Sequence, residues 1–209
     1  MERDKLRLYL VTDSLLAGDR DVVDIVMEAV KGGVTMVQLR EKNLDTRSFI
    51  RRASLLNSLL LPHGVPLVIN DRVDVALATD AAGVHVGQLD MPCEMVRRLL
   101  GPGKIIGLSV ESHKDVSEAN SLDIDYIAVS PVFATDTKTD TASPFGLDGL
   151  SLAVRSSVHP VVGIGGMNVS TASDVMRTGA AGIAVVSAIM SAESPAAAAS
   201  QMLEKLGNF

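Results

Sequence analysis

The chain has 209 residues, 47% of them apolar and 21% charged, with 17 glycines and 8 prolines, which suits one globular core and excludes both a disordered chain and a disulfide-stapled miniprotein. Asp and Glu outnumber Lys and Arg by 25 to 19, and with 2 Tyr, 4 Phe and no Trp there is neither a basic face nor a stacking platform for nucleic acid. The single cysteine, Cys93, can form neither an internal disulfide nor a cysteine-rich metal site, which fits a reducing compartment. The apolar stretch over 8–11 stops at Thr12-Asp13-Ser14, too short for a signal peptide, and the one over 179–190 is interrupted by Ser187, too short for a membrane span. The expectation is a cytoplasmic protein with small-molecule partners, no nucleic acid and no membrane, and homo-oligomer formation compatible with the sequence.

Short runs of Val, Ile and Leu alternate with helical periodicity from the start. A strand is predicted over 6–11 and a helix over 22–31, where Val22, Val23, Ile25, Val26, Ala29 and Val30 make a broad apolar face and Gly32-Gly33 supplies the stop. The cycle continues with strand 35–39 and helix 46–60, strand 66–70 and helix 73–78, strand 83–86 and helix 92–100, and strand 104–108 and helix 114–121. Strand 126–129 and helix 147–156, strand 160–164 and helix 169–177, and strand 182–186 and helix 195–206 complete it. Strands that alternate with helices need a parallel sheet with right-handed crossovers, and eight such units predict closure. The fold class is therefore α/β, a single (β/α)8 TIM barrel over residues 1–209, lean for an architecture of roughly 200 to 250 residues. A doubly wound open sheet is the other candidate, but it uses fewer strands and a glycine-rich first turn, and Thr12-Asp13-Ser14-Leu15 contains no glycine. The one connection too long for a plain turn, 130–146, is expected to carry function, with 139–143 as a candidate lid.

In a parallel barrel the C-terminal strand ends build the active site. Strand two runs into Gln38-Leu39-Arg40-Glu41-Lys42, and alternation puts Gln38, Arg40 and Lys42 on one side, a cationic pair at the barrel mouth. Strand three ends at Asn70-Asp71 and strand four leads to Asp90, two carboxylates at adjacent strand ends. That is an oxygen-rich setting for Mg²⁺, which keeps substrate phosphates as its remaining ligands. Helix N-caps are the alternative for both residues, since each precedes a helix. His85, inside strand four, reads as a packed polar residue satisfied by its neighbours. Ser109 closes strand five within reach of a phosphate oxygen. In the long connection Thr135, Thr137 and Lys138 supply neutral donors and one point charge suited to anionic oxygens. Strands seven and eight end at Gly163-Ile164-Gly165-Gly166 and Val185-Val186-Ser187, where exposed backbone N–H groups and following helices make the usual phosphate position of such barrels. The glycine spacing does not match a dinucleotide fingerprint. Two anion sites follow: Arg40, Lys42, Asp71, Asp90 and Lys138 for a diphosphate, and Gly165, Gly166 and Ser187 for a monophosphate. No nucleophile–base pair is evident, so covalent catalysis is not expected.

Tyr9-Leu10-Val11-Thr12-Asp13, Gln38-Leu39-Arg40-Glu41-Lys42, Ile69-Asn70-Asp71-Arg72, His85-Val86-Gly87-Gln88-Leu89-Asp90-Met91-Pro92, Pro131-Val132-Phe133-Ala134-Thr135-Asp136-Thr137-Lys138, Gly165-Gly166 and Val186-Ser187 resemble, in order, the motifs of the thiamine-phosphate synthase family. The resemblance covers essentially the whole chain. It implies a (β/α)8 transferase that condenses hydroxymethylpyrimidine diphosphate with thiazole phosphate to thiamine phosphate and diphosphate, with Mg²⁺, through a pyrimidine carbocation. Carried over by position, it implies that Gln38, Arg40, Lys42, Asn70, Ser109 and Lys138 bind the pyrimidine diphosphate and that Asp71 and Asp90 hold the metal. Thr135 and Thr137, with backbone at Gly166, Val186 and Ser187, would take the thiazole phosphate. Arg40, Lys42, Lys138 and Ser109 are the expected catalytic set. Ser130 stands where the family commonly has glycine, and Ala134 and Asp136 where it has proline. A thiazole tautomerase of the same barrel family is the alternative; such relatives carry a histidine near the strand-six mouth, where this chain has Pro131, and lack the full diphosphate clamp. A non-catalytic phosphate-ligand sensor is a third reading.

Overall fold

The computed structural model describes residues 2–134 and 143–207. Its strands are β1 (Leu8–Val11), β2 (Met36–Leu39), β3 (Leu67–Asn70), β4 (Gly83–Val86), β5 (Ile105–Val110), β6 (Tyr126–Val129), β7 (Val161–Ile164) and β8 (Gly182–Val185). Between and after them lie helices α1 (Val22–Lys31), α2 (Thr46–Leu60), α3 (Val73–Ala78), α4 (Cys93–Leu100), α5 (His113–Ala119), α6 (Gly146–Ser156), α7 (Ala172–Arg177), α8 (Ser187–Met190) and α9 (Pro195–Leu206). Every strand pairs in parallel with its sequence neighbours, and β8 closes on β1 through Leu8↔Ile183 and Leu10↔Val185, so the sheet is the predicted closed barrel of eight strands. Among the described residues no helix is long and apolar enough to cross a membrane.

The pleat sends alternate residues to two cores. Outward residues such as Leu8, Leu10, Val37, Leu39, Ile69 and Val84 pack under the helical ring, and the inward set is a separate cluster of Leu6, Tyr9, Val11, Met36, Val68, Tyr126, Ala128, Val162 and Ala184. Helices start where the chain supplies caps: the Asp21 side chain accepts from the Val23 amide, Asp45 from Ser48, Ser112 from Asp115 and Ser194 from Ala197.

Several boundaries shift by one to three residues from the sequence reading, and three of the differences have identifiable reasons. β1 begins at Leu8 because Arg3–Leu6 form a 3₁₀ turn that drives Leu6 into the bottom of the barrel, where Arg3 and Lys5 donate to the Gly179 and Gly64 carbonyls at 2.7 and 2.8 Å. α7 starts at Ala172, not at Val169, because the Asn168 carboxamide accepts from the Ser170 amide at 2.9 Å and holds a turn there. β8 stops at Val185 and is followed by the unpredicted one-turn helix α8. Arg20, from the connection between β1 and α1, ties off α8 by donating to the Met190 and Ala192 carbonyls at 2.5 and 2.6 Å.

The barrel bottom is closed by backbone against backbone. A Cβ on Gly182 would fall 2.6 Å from the Leu6 carbonyl carbon and 2.7 Å from Arg7 Cα. Gly182→Ala is therefore expected to lose about 1–3 kcal/mol of stability by overpacking, measured by denaturant titration, while the strand ends at the barrel mouth keep their arrangement because the change lies at the opposite end.

Candidate active site

The C-terminal strand ends surround a cavity of about 360 Å³ lined by residues from all eight strand ends. On one rim β2 presents Arg40 and Lys42 as the alternation requires. Arg40 Nη1 is held at 3.1 Å from Asp13 Oδ2, and Asp13 is itself buried and accepts from the Leu15 and Leu16 amides at 2.9 and 3.2 Å. Glu41, on the opposite side of the strand, is covered by Arg52 and by the Ser14 hydroxyl, which anchors the connection so that its two neighbours stay at the mouth. Lys42 Nζ lies 2.7 Å from Asp71 Oδ2.

Asp71 has a left-handed backbone (φ 60°), a conformation for which Asp is better suited than most residues, and its amide donates to the His85 carbonyl at 2.8 Å. Asp90 Oδ2 accepts from the Gly87 amide at 2.7 Å. Burial first, and then the adjacent Asp71 carboxylate, hold the Asp90 carboxyl above its ordinary range, with the Gly87 amide and Lys42 acting the other way. Neither residue caps a helix: the N-cap positions of α3 and α4 are Arg72 and Pro92, without side-chain caps. The capping alternative is thus removed, and the two carboxylates share one corner of the cavity beside Asn70.

The opposite rim is made by β7 and β8. Gly165 and Gly166 both have positive φ, 98° and 68°, and their missing side chains let Pro131 and Phe133 close in: a Cβ at either position would stand 2.7 Å from the Cβ of Pro131 or Phe133. Val186 and Ser187 complete this rim, with Ser187 as the first residue of α8. The two anion sites read from the sequence are therefore two walls of a single cavity. Thr135, Thr137 and Lys138, and the candidate lid over 139–143 up to residue 142, lie outside the described residues.

The cavity floor carries residues that the sequence reading did not place in the site. Gln38 Nε2 donates to the Tyr9 hydroxyl at 2.7 Å, Tyr9 and Tyr126 hydroxyls meet at 2.8 Å, His85 Nδ1 lies 2.9 Å from the Tyr126 hydroxyl, and His85 Nε2 lies 2.8 Å from Ser109 Oγ. His85 is packed and satisfied as expected, but it is also part of the floor. Ser109 sits inside β5, which runs on to Val110, one turn of the pleat deeper than a strand end. The missed residues had a signal: an inward-facing tyrosine in a barrel strand must find a partner for its hydroxyl. Asp13 had none beyond its place in the first motif.

A (β/α)8 enzyme whose cavity has one rim of charged side chains and one of glycines and a helix start is the class that this fold and site define. The family model described as thiamine monophosphate synthase matches residues 8–189. A thiamine-phosphate synthase of Albidiferax ferrireducens is 56% identical over 93% of this chain and 89% of that one, and one of Vibrio campbellii is 52% identical over 94% and 96%. The solved thiamine phosphate pyrophosphorylase of Pyrococcus furiosus superposes with a TM-score of 0.90 at 40% identity, covering 99% of both chains. The chain belongs to the thiamine monophosphate synthase family and is an enzyme of that type.

Burial pushes the His85 imidazole down to about 4 from 6.5, with the Asp90 charge opposing. The unfolded chain then binds one more proton than the folded one between these values, so this group makes stability rise with pH from about 4 to 6.5, by about 3 kcal/mol in all. Below the folded value the contribution is constant. His85→Gln is expected to flatten that part of the stability–pH curve, measured by denaturant titration at intervals across the window; a slope equal to the parent's assigns the dependence to another group.

Proposed function

We propose that the enzyme condenses hydroxymethylpyrimidine diphosphate with thiazole phosphate to give thiamine phosphate and diphosphate, by a dissociative substitution through a pyrimidine carbocation. The observation that carries this reading is the placement of the two rims on opposite sides of one cavity, so that a diphosphate electrophile and a phosphorylated nucleophile bound to them would meet over the floor. The names of the family and of its relatives support the same substrates.

Gln38, Asn70 and Ser109 would orient the pyrimidine, while Arg40 and Lys42, with Lys138 from the family motif, would neutralise the leaving diphosphate as its C–O bond breaks. Asp13 keeps the Arg40 fork aimed at the mouth. The backbone at Gly166, Val186 and Ser187 would hold the thiazole phosphate, assisted by Thr135 and Thr137, and the thiazole nitrogen then attacks the methylene carbon. No protein nucleophile is needed, since orientation and electrostatics act on a cation that the aminopyrimidine itself stabilises.

The residues present fit Mg²⁺. Asp71 and Asp90 stand close enough to raise the proton affinity of Asp90, and among the described residues Lys42 alone pairs with them at ion-pair distance, a set that a divalent ion would relieve. Among the described residues no three of His, Cys, Asp and Glu gather around one point, so two carboxylates would hold the ion and substrate oxygens would complete its shell. Bound there, Mg²⁺ supplies charge neutralisation at the leaving diphosphate.

Diphosphate release in the presence of both substrates is the direct test. Turnover that needs both supports the reading; isomerisation of a thiazole without diphosphate would favour the tautomerase alternative, and binding without turnover the sensor. Asp71→Asn, which keeps a residue suited to the left-handed backbone, and Asp90→Ala are each expected to lower kcat at least ~10²-fold and to abolish the response to Mg²⁺ while the melting temperature stays near the parent's, because neither side chain belongs to the apolar core. An unchanged Mg²⁺ response in both variants would remove them as ligands.

A further inference from the structure

The floor chain has a direction. An amide nitrogen donates and does not accept, so Gln38 Nε2 at 2.7 Å makes Tyr9 the acceptor and leaves the Tyr9 hydrogen to donate to Tyr126 at 2.8 Å. Tyr126, already accepting, donates to His85 Nδ1 at 2.9 Å. A bare Nδ1 places the hydrogen of the neutral ring on Nε2, which donates to Ser109 Oγ at 2.8 Å. The Ser109 hydrogen is then left for the cavity. At the other end Gln38 Oε1 has no hydrogen-bond partner among the described residues, and Gln38 lines the same cavity. The opposite sense requires the Gln38 amide to turn over, and then every member reverses: Gln38 offers N–H to the cavity and Ser109 offers a lone pair.

We propose that Tyr9 and Tyr126 are positioning residues for substrate selection: the hydrogen-bonded chain that they carry across the barrel locks its two ends to opposite senses, an acceptor at Gln38 and a donor at Ser109. A ring with a donor on one edge and an acceptor on the other, such as an amino-substituted nitrogen heterocycle, satisfies both ends, and a ring with two donors or two acceptors leaves one end unpaired at a cost. The packing is built for this contact. A Cβ on Gly107 would lie 2.5 Å from His85 Nδ1 and closer still to the Tyr126 phenol, so only glycine lets the two meet. No buried side-chain polar atom in the described structure lacks a partner, and the Tyr9 and Tyr126 rings lock edge to face at 5.9 Å. Which ring is selected rests on the function proposed above; the sense of the chain is a property of the protein without substrate.

The test reads the His85 tautomer by long-range proton–nitrogen correlation spectra of histidine-labelled protein without substrates, with His85 identified by its absence from His85→Gln. The parent is expected to show one tautomer, with the hydrogen on Nε2. Tyr9→Phe has no direct hydrogen bond to remove from His85, yet it is expected to turn that signal into a mixture, because Tyr126 and Ser109 can each donate or accept once the Gln38 amide no longer sets the sense. If Tyr9→Phe fails to fold, Gln38→Met removes the same amide and the same mixture is expected. In kinetics Tyr9→Phe should raise KM for the pyrimidine diphosphate about tenfold and leave KM for the thiazole phosphate unchanged. A parental ring protonated on Nδ1, or a single Nε2–H tautomer persisting in both variants, overturns the proposal; equal movement of the two KM values overturns its substrate-selecting part. Absence of turnover in the parent counts against the proposed function instead, and leaves the spectra to decide the sense of the chain.

Discussion

A closed parallel sheet leaves no strand edge, and that constraint governs everything else in this molecule. The strands are paired around the ring, from β1 through β8 and back to β1, so what they offer a ligand is their ends and their inward side chains. Because all strands run the same way, their C-terminal ends converge on one face. The polar residues there need not be neighbours in sequence to be neighbours in space, which is how Arg40, Asp71, Asp90 and Ser187 come to line one cavity.

Closure also creates an interior that must be filled, and here the filling is of two kinds. Below, Leu6, Met36, Val68 and Val162 pack as an ordinary apolar plug, sealed by the 3₁₀ turn at the N-terminus. Above it, two tyrosines, a histidine, a glutamine and a serine form a continuous hydrogen-bonded polar layer directly under the cavity. Removing one member of such a layer would strand a buried polar group, so the layer is costly to change piecemeal and holds its members in place. Burial raises the phenol pKa values of both tyrosines, which keeps them neutral donors and acceptors.

The two rims differ in the kind of charge complementarity that they use. The β2 to β4 rim relies on side chains set against one another: Arg40 against Asp13, Lys42 against Asp71, and Asp71 against Asp90. The first two hold Arg40 and Lys42 at the mouth, and Lys42 offsets the repulsion between the two carboxylates. The β7 and β8 rim offers backbone, where two glycines at positive φ and the start of a one-turn helix line the mouth.

The order of strands and helices was legible in the sequence because period-two and period-3.6 apolar runs report directly on which faces are buried, and the tally of eight units then predicted closure. Alternation past Gln38 also correctly put Gln38, Arg40 and Lys42 on one side, since the pleat is a local property. What the sequence left open was settled by contacts between residues far apart in it. Asp71 and Asp90 read equally well as helix caps until the left-handed turn at Asp71 and the Gly87 amide directed both carboxylates into the cavity. Tyr9 and Tyr126 lie 117 positions apart in two predicted strands, and only the meeting of β1 and β6 across the barrel makes one hydroxyl the partner of the other. Helix α8 had too few residues for any periodicity to register, and it is held by Arg20 from the other end of the chain. Local pattern encodes burial; the direction of a hydrogen bond between distant strands exists only once the barrel has closed.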